Sequence, residues 1–520
     1  MKPLYLPLIG LVLLLDLAPA TRADVNMRIS VKFILSPGGS MPCCGNGSFD
    51  SFADITNQVN FANEMLRSFG REAQAVPPIT ETVPYTLDTG IRGNAGTETI
   101  VAYSNVIRAA TAPSKLRVHF SSYNLGAASF IRLTSVRDGG SQKLDRVSLG
   151  YWQSTSAIFN GDEVRMELHV APGDQGVYAR VDQLILECNC SGRALTLNAA
   201  GAPESLCGAD GRSASTDNRV GRISGCTAWL ISNGGVLTAG HCGSGGGVFE
   251  ANVPASSASG VTVASAPEDQ YPIDTSTRTA VDTGAGNDYG IFGLLPNTTT
   301  GTRAHHRFGF FRMSRETPAA ASTIRITGFG VDNTPAGPVA NCCATDSLGN
   351  CTHPSCNAQS RTLQTSTGPF VSESVVGANN VSHTYQTDTE PANSGSPVLW
   401  NTTGFAIGIH THGGCSAGGG SNSGTSFEND GLESLVQNFP GTNCRYVDTT
   451  TYPNSPADNG TVFQPFHNFA SAVTSVPSGG RVVMVTGSYT KATVGNTGIF
   501  GTGNKAFTLL APVGSVTIGE

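Results

Sequence analysis

The stretch that decides the fold is GCTAWLISNGGVLTAGHC, residues 225–242. Its run at 227–231 is apolar and rich in residues that favour strands, and the Asn-Gly-Gly at 233–235 is a turn signal. Residues 236–238 form a second short run of the same kind. Two such runs around a glycine-containing turn predict a β-hairpin.

A cysteine stands at each end of this hairpin. A disulfide between Cys226 and Cys242 would close it and would hold the neighbouring His241 in place. A histidine held rigidly where a buried strand passes into a loop is suited to act as a general base. The hairpin therefore makes His241 the first candidate catalytic residue.

Two later segments complete a catalytic set. NDYGIF at 287–292 places Asp288 directly before an apolar strand, where its carboxylate could be buried and could orient an imidazole. NSGSPV at 393–398 places Ser394 in a tight turn beside a glycine, leading into another strand. Three other acids could compete for the role of Asp288, but no comparable apolar strand directly follows any of them: Asp269, Asp274 and Asp282.

These motifs resemble those of chymotrypsin-fold serine peptidases, in which the catalytic residues also follow one another as His, Asp and Ser. The resemblance rests on TAGHC at 238–242, on Asp288 and on NSGSP at 393–397, and it covers roughly residues 215–440. The form SGSPV is most similar to the bacterial glutamyl endopeptidases. The resemblance implies two six-stranded β-barrels with the active site between them, protein or peptide substrates, and no cofactor or metal.

Each residue type suits its role in such a site. Ser394 would attack the peptide carbonyl after His241 removes its proton, and Asp288 would orient the imidazole. The resemblance implies an oxyanion hole made of the backbone N–H groups of Ser394 and Ala392. The family usually has glycine at the second position. If this peptide must adopt a conformation that favours glycine, the Cβ of Ala392 is costly.

The residues that match the specificity pocket allow two interpretations. Thr389 and His410 match positions that bind an acidic side chain in glutamyl endopeptidases, and His412 adds a second imidazole. Asp388 falls where trypsins carry the acid that selects Lys or Arg, and a carboxylate exposed there would repel an acidic substrate. Asp388 could instead be turned away into hydrogen bonds, so we expect a preference for acidic residues. The histidines could also simply belong to a polar turn.

The rest of the chain divides by composition. β-like runs at regular spacing at 99–103, 116–122, 128–136, 146–153, 163–170 and 176–186 predict a β-sandwich-like domain, similar to the β-domain that precedes the peptidase in some secreted bacterial proteins. The end of the chain resembles the first coils of secreted right-handed β-helix proteins. The predicted divisions are a signal peptide at 1–23, an irregular segment at 24–82, the sandwich at 83–187, a cysteine-containing linker at 188–222, the peptidase domain at 223–440 and a short β-helix-like module at 445–520.

Composition indicates the compartment and excludes some partners. The net charge of −7 without a Lys/Arg cluster argues against nucleic acid and anionic membranes. Thirteen cysteines and the leader predict secretion into an oxidising compartment, with no membrane span in the mature chain. The cysteines at 342–356 could form a zinc site, but secretion favours disulfides. The alternative function is a non-catalytic secreted protein that keeps the peptidase fold, with flanking modules that bind polysaccharide or a surface.

Overall fold

The computed structural model describes residues 11–15, 29–33, 79–188, 206–243, 247–257, 261–332, 359–377, 380–416, 418–452, 458–485, 487–489 and 505–518. Strands β1 (Leu11–Leu15) and β2 (Ile29–Phe33) pair antiparallel. Most of the segment at 24–82 and the cysteine group at 342–356 lie outside the described residues. Within the described residues, no helix has the length and apolar character needed to cross a bilayer.

Two four-stranded antiparallel sheets occupy residues 79–188. One has the order β3-β10-β5-β8 and the other β4-β9-β6-β7. Alternate residues of β9 point between the sheets, where Val164, Met166 and Leu168 are all fully buried. The strands are β3 (Ile79–Asp88), β4 (Ile100–Arg108), β5 (Lys115–Asn124), β6 (Phe130–Ser135), β7 (Ser141–Leu144), β8 (Phe159–Asn160), β9 (Glu163–Val170) and β10 (Tyr178–Cys188).

The strand predicted at 146–153 is wrong, because this segment contains helix α1 (Arg146–Tyr151). The Asp145 carboxylate accepts hydrogen bonds from the backbone N–H groups of Val147 and Ser148. The Ser148 hydroxyl accepts one in return from the Asp145 N–H at 2.6 Å. This capping box satisfies N–H groups that a helix start leaves without partners, and it outweighs the β-like alternation of the sequence.

A closed six-stranded barrel follows, with the order β12-β13-β14-β17-β16-β15. The hairpin of residues 225–242 supplies β13 and β14, as its sequence predicts. The barrel begins within the segment that the sequence assigned to a linker, since β12 starts at Val220. The strands are β11 (Ser213–Ala214), which joins the next sheet, β12 (Val220–Ile223), β13 (Cys226–Leu230), β14 (Val236–Thr238), β15 (Val248–Glu250), β16 (Gln270–Asp282) and β17 (Asp288–Leu294).

The second barrel has the strand order β11-β19-β18-β21-β22-β23-β20, and a pairing between β19 and β20 closes six of these strands. The prediction of a mainly β double barrel is therefore confirmed. Residues 261–264, between β15 and β16, are irregular. The elements are α2 (Ala304–Phe308), β18 (Thr323–Gly328), β19 (Gln364–Gly377), β20 (Asn380–Tyr385), β21 (Pro397–Trp400), β22 (Ala406–His412), β23 (Asn422–Ser426) and α3 (Asp430–Gln437).

An aromatic core joins the two barrels. Trp229 of β13 is fully buried and makes edge-to-face contacts with Phe311 and Phe427, with ring centroids 5.8 and 6.4 Å apart. Aromatic pairs of this geometry contribute about 0.5–1.5 kcal/mol beyond the area that they bury. This packing fixes the relative position of the barrel walls that carry the candidate catalytic residues.

The end of the chain forms short parallel ladders. One has the order β24-β25-β27, and the other pairs β26 with β28. Parallel, in-register stacking of successive strands is the arrangement of β-helix coils. The elements are β24 (Cys444–Val447), α4 (Phe469–Ser475), β25 (Arg481–Met484), β26 (Gly487–Tyr489), β27 (Thr508–Leu510) and β28 (Val516–Ile518).

Candidate active site

His241 and Asp288 are hydrogen-bonded where two strands of the first barrel meet. His241 lies in a short 3₁₀ turn directly after β14, and Asp288 is the first residue of β17. The Nδ1 atom of His241 is 2.6 Å from Oδ2 of Asp288, and the His241 backbone N–H donates to Oδ1 at 3.0 Å. Gly240 permits this approach, because a Cβ there would collide with the carbonyl oxygen of Val281.

The Asp288 carboxylate favours its ionised form although it is almost completely buried. Burial by itself would raise the pKa of Asp288, but the charge and hydrogen bonds of His241, with a smaller contribution from the charge of His412, hold it below its ordinary value. The second barrel also holds Asp288 in place, since its backbone N–H donates to the Thr425 hydroxyl and its carbonyl accepts from the same group. The acid is therefore fixed by both barrels.

The predicted pair Cys226 and Cys242 forms a disulfide. It closes the hairpin beside His241. Ligand-type atoms of Cys226, His241 and Cys242 lie within 4.8 Å of one another. The two sulfurs are bonded to each other and the imidazole is bonded to Asp288, so this group is not arranged to hold a metal ion.

Ser394 lies in a loop that is fastened to the first barrel. Its carbonyl oxygen accepts from the Thr227 N–H at 2.9 Å and lies 3.7 Å from the sulfur of Cys242, the residue next to His241. Gly395 has φ +89°, and a Cβ at this position would collide with the Thr227 carbonyl oxygen. The Ser394 hydroxyl is buried and makes no hydrogen bond within the described part of the chain. The loop thus places the backbone of Ser394 beside Cys242, the neighbour of His241.

Ala392 adopts the conformation that the sequence identified as costly. Its φ is +81°, in the left-handed region, where a residue with a Cβ is strained by roughly 1–2 kcal/mol. The Thr227 hydroxyl helps to hold it there by donating to the Ala392 carbonyl at 2.9 Å. Thr227 therefore fastens both ends of the segment 392–394, a role that sequence reasoning missed because the residue looks like an ordinary strand position.

Asp388 is turned into hydrogen bonds. Its Oδ1 accepts from the Cys207 N–H and its Oδ2 from the Gly211 N–H, each at 2.8 Å. This is the second of the two arrangements that the sequence left open. The carboxylate is therefore already bonded to two backbone donors.

The other predicted pocket residues are buried in the second barrel. His410 Nδ1 lies 2.7 Å from the Tyr385 hydroxyl, and the Thr389 hydroxyl oxygen accepts from the Asn422 side chain at 3.1 Å. Nothing in the sequence around Tyr385 or Asn422 indicates that these residues bind the side chains of His410 and Thr389. His412 has its Nδ1 2.7 Å from the Thr411 hydroxyl, and a positive charge on its ring would lower the pKa of Asp288. His412 is therefore near enough to Asp288 to influence its pKa.

Comparison with known proteins agrees with this geometry. Residues 211–428 match the trypsin family. This segment contains both β-barrels, and it makes up under half of the chain. The match supports a serine peptidase, as the resemblance of its motifs predicts.

Two solved structures are similar to a comparable share of the chain. A Glu endopeptidase in complex with MPD is 17% identical, with a TM-score of 0.30, over 44% of this chain and 97% of its own. A thermostable serine protease from an extremophilic microorganism is 15% identical, with a TM-score of 0.28, over 41% of this chain and 92% of its own. No curated protein sequence matches the chain.

Proposed function

We propose that the chain is a secreted serine endopeptidase that cleaves peptide bonds through His241, Asp288 and Ser394. The observation that carries this proposal is the 2.6 Å hydrogen bond between His241 and the buried Asp288, beside the loop that presents Ser394. A buried ionised acid bonded to Nδ1 leaves Nε2 as the imidazole atom that exchanges protons with a nucleophile. These groups are the ones that an acyl-transfer mechanism requires.

The reaction proceeds in two stages. His241 Nε2 takes the proton of the Ser394 hydroxyl as its oxygen attacks the peptide carbonyl, and then gives that proton to the leaving amine. Asp288 stabilises the imidazolium that forms in between. The backbone N–H groups of Ser394 and Ala392 donate hydrogen bonds to the negatively charged oxygen of the intermediate. Loss of one such donor raises the activation free energy by about 3–4 kcal/mol. Water then hydrolyses the acyl-enzyme by the reverse use of the same groups.

We propose that the cleaved bond follows an acidic residue. The support is that both oxygens of Asp388 accept hydrogen bonds from backbone N–H groups. These bonds weaken the repulsion between this carboxylate and an acidic substrate side chain. Thr389 and His410 supply polar groups in the same barrel. Secretion is supported by the leader and by the disulfides Cys207–Cys415 and Cys226–Cys242. Contact of the flanking modules with polysaccharide stays a prediction.

A covalent probe tests the proposal. A fluorophosphonate should label the wild-type chain and Ser104→Ala, which alters an exposed serine of the sandwich, but should not label Ser394→Ala. A peptide library cleaved by the wild type and by Ser394→Ala would then show the preferred residue. Absence of both labelling and cleavage, in every processed form of the wild type, would leave the non-catalytic alternative.

A further inference from the structure

The segment at residues 206–212 is fastened by a disulfide to the loop that follows β22. Cys207 is bonded to Cys415, which lies 208 positions later in the loop after β22. The strand β22 carries His410 and His412. A segment that precedes both barrels in sequence is thereby attached to the loop that follows the pocket histidines.

Asp388 attaches the same segment to the opposite side of the pocket. Its two carboxylate oxygens accept from the Cys207 and Gly211 N–H groups, both at 2.8 Å. Asp388 precedes Thr389, the predicted pocket residue. Hydrogen bonds to a charged acceptor are stronger than those between neutral groups, so this carboxylate is a firm anchor.

Asn422 connects these attachments. Its Oδ1 accepts from the N–H groups of Gly414 and Cys415, at 2.9 and 3.0 Å. Its Nδ2 donates to the Thr387 carbonyl and to the Thr389 hydroxyl, at 2.8 and 3.1 Å. One fully buried amide thus joins the loop that carries the disulfide to the strand end that carries Asp388.

Arg212 anchors the C-terminal end of residues 206–212 near the loop that contains Ala392. Its guanidinium pairs with Asp210 at 2.8 Å and donates to the Val331 carbonyl at 2.8 Å. The Val331 N–H in turn donates to the carbonyl of Pro391, the neighbour of Ala392, at 2.9 Å. Residues 206–212 are therefore fixed at both ends to the loop that precedes Ser394.

We propose that residues 206–212 form the rear wall of the specificity pocket, and that Asp388 is the positioning residue that holds this wall and Thr389 in register. The proposal rests on the proposed peptidase function and deepens it. It assigns no substrate contact to Asp388. A trypsin-like role would instead require the carboxylate to leave two backbone donors and face a basic substrate.

Kinetics of Asp388→Asn and Asp388→Ala distinguish these roles. The substrates are peptides that differ only in having Glu, Gln or Lys before the cleaved bond. For each peptide that is cleaved, we expect KM to rise roughly tenfold in the variants, as for the loss of one or two hydrogen bonds. We expect kcat to stay within about threefold of the wild-type value. Asp174→Ala is the control, since Asp174 also accepts backbone hydrogen bonds but lies in the sandwich. Selective loss of Lys cleavage, or an unchanged KM for every peptide, would overturn the proposal.

A second measurement does not depend on activity. Amide hydrogen exchange at Cys207 and Gly211 should be faster in Asp388→Ala than in the wild type, and unchanged in Asp174→Ala. The effects of Asp388→Ala and Cys415→Ser on this exchange should not be additive, because both anchor one segment. If Asp388→Ala fails to fold, Asp388→Asn keeps one acceptor oxygen and supplies the same test. Unchanged hydrogen exchange at Cys207 and Gly211 in Asp388→Ala would refute the proposed wall, even if the fluorophosphonate labels Ser394. Absence of labelling would refute only the proposed peptidase function.

Discussion

At the scale of single residues, the bond between His241 and Asp288 controls which imidazole nitrogen carries a proton. The carboxylate accepts from Nδ1 and also from the His241 backbone N–H, so it fixes the ring in place as well as its tautomer. Asp288→Asn keeps the size of the side chain but removes the charge and can present an amide N–H to the ring. A donor facing Nδ1 favours the wrong tautomer for proton removal from Ser394.

We therefore expect Asp288→Asn to lower kcat by about 10⁴-fold with little change in KM or in folding. The measurement is steady-state hydrolysis of a peptide substrate, with circular dichroism as the check on folding. Asp274→Asn is the matched control, because Asp274 lies in the first barrel away from the pair and should retain activity. Comparable kcat values for Asp288→Asn and Asp274→Asn would contradict the assignment.

Ala392 provides a second test at this scale. Its φ of +81° is strained for alanine, whereas glycine adopts this conformation freely. Replacement relieves the strain but adds flexibility to the unfolded chain, so Ala392→Gly should raise the free energy of unfolding by about 0.5–1 kcal/mol. Urea denaturation measures the change.

Gly395→Ala is the opposite control. Gly395 also has a positive φ, and an added Cβ would meet the Thr227 carbonyl oxygen. Gly395→Ala should lower the free energy of unfolding by at least about 2 kcal/mol, because the strain of the positive φ and the clash with the backbone add. If Ala392→Gly destabilised the protein as well, the left-handed conformation at 392 would be wrong.

At the scale of elements, three strands of the second barrel share one carboxylate. Glu373 of β19 accepts from His383 of β20 and from the Ser426 hydroxyl of β23, each at 2.6 Å, and from the Thr317 hydroxyl at 2.6 Å. Burial would raise the pKa of Glu373, but these hydrogen bonds outweigh it and lower the pKa to about 2. The bonds cross the hairpin and the next strand, so the charge helps to hold the barrel closed.

This carboxylate makes barrel stability depend on pH. Its pKa in the folded chain is below the ordinary value of 4.5, so its contribution is fully present above about pH 4.5 and is lost as the pH falls towards 2. Allowing for partial exposure, the advantage of the wild type over Glu373→Gln should shrink by about 1–2 kcal/mol between pH 7 and pH 2.5. Urea unfolding at both values measures it. Glu98→Gln, at an exposed position, should show no such change, and an equal advantage at both pH values would refute the assignment.

At the scale of the whole molecule, two side-chain amides fasten the sandwich to the first barrel. Gln270 of β16 donates to the carbonyls of Ile158 and Ser265, at 2.8 and 2.7 Å, and accepts from the Ile158 N–H at 2.8 Å. In the reverse direction, Asn160 of the sandwich bonds both the N–H and the carbonyl of Ala264, at 2.8 and 3.0 Å. Gln270 is fully buried, so this contact resembles a protein interior.

We expect the sandwich and the barrels to unfold together. Gln270→Ala leaves three backbone groups without their partner and should cost about 3 kcal/mol. Gln183→Ala, on the exposed side of β10, should change stability by less than about 0.5 kcal/mol. Calorimetry should show one transition for the wild type. Separate transitions, or equal costs for the two variants, would mean that the sandwich is only loosely attached.

The sequence by itself determined the features that have a local pattern. The hairpin at 225–242, the strand after Asp288 and the glycine-flanked turn at Ser394 each follow from a few neighbouring residues, because strand alternation and turn chemistry act over short distances. The order of the three motifs also indicated the double barrel. The sequence did not predict the capped helix α1, because the capping residues Asp145 and Ser148 are a weaker signal than the surrounding apolar alternation.

Only the tertiary structure decided the contacts between residues far apart in sequence. Thr227 holds the carbonyl of Ala392 across 165 positions, and Asp388 accepts from the Cys207 N–H across 181. Such pairs leave no local pattern, since each residue is ordinary among its neighbours and its partner is chosen by how the barrels pack. The same physics explains Ala392, whose positive φ is imposed by the hydrogen bonds of its loop and not by its own preference.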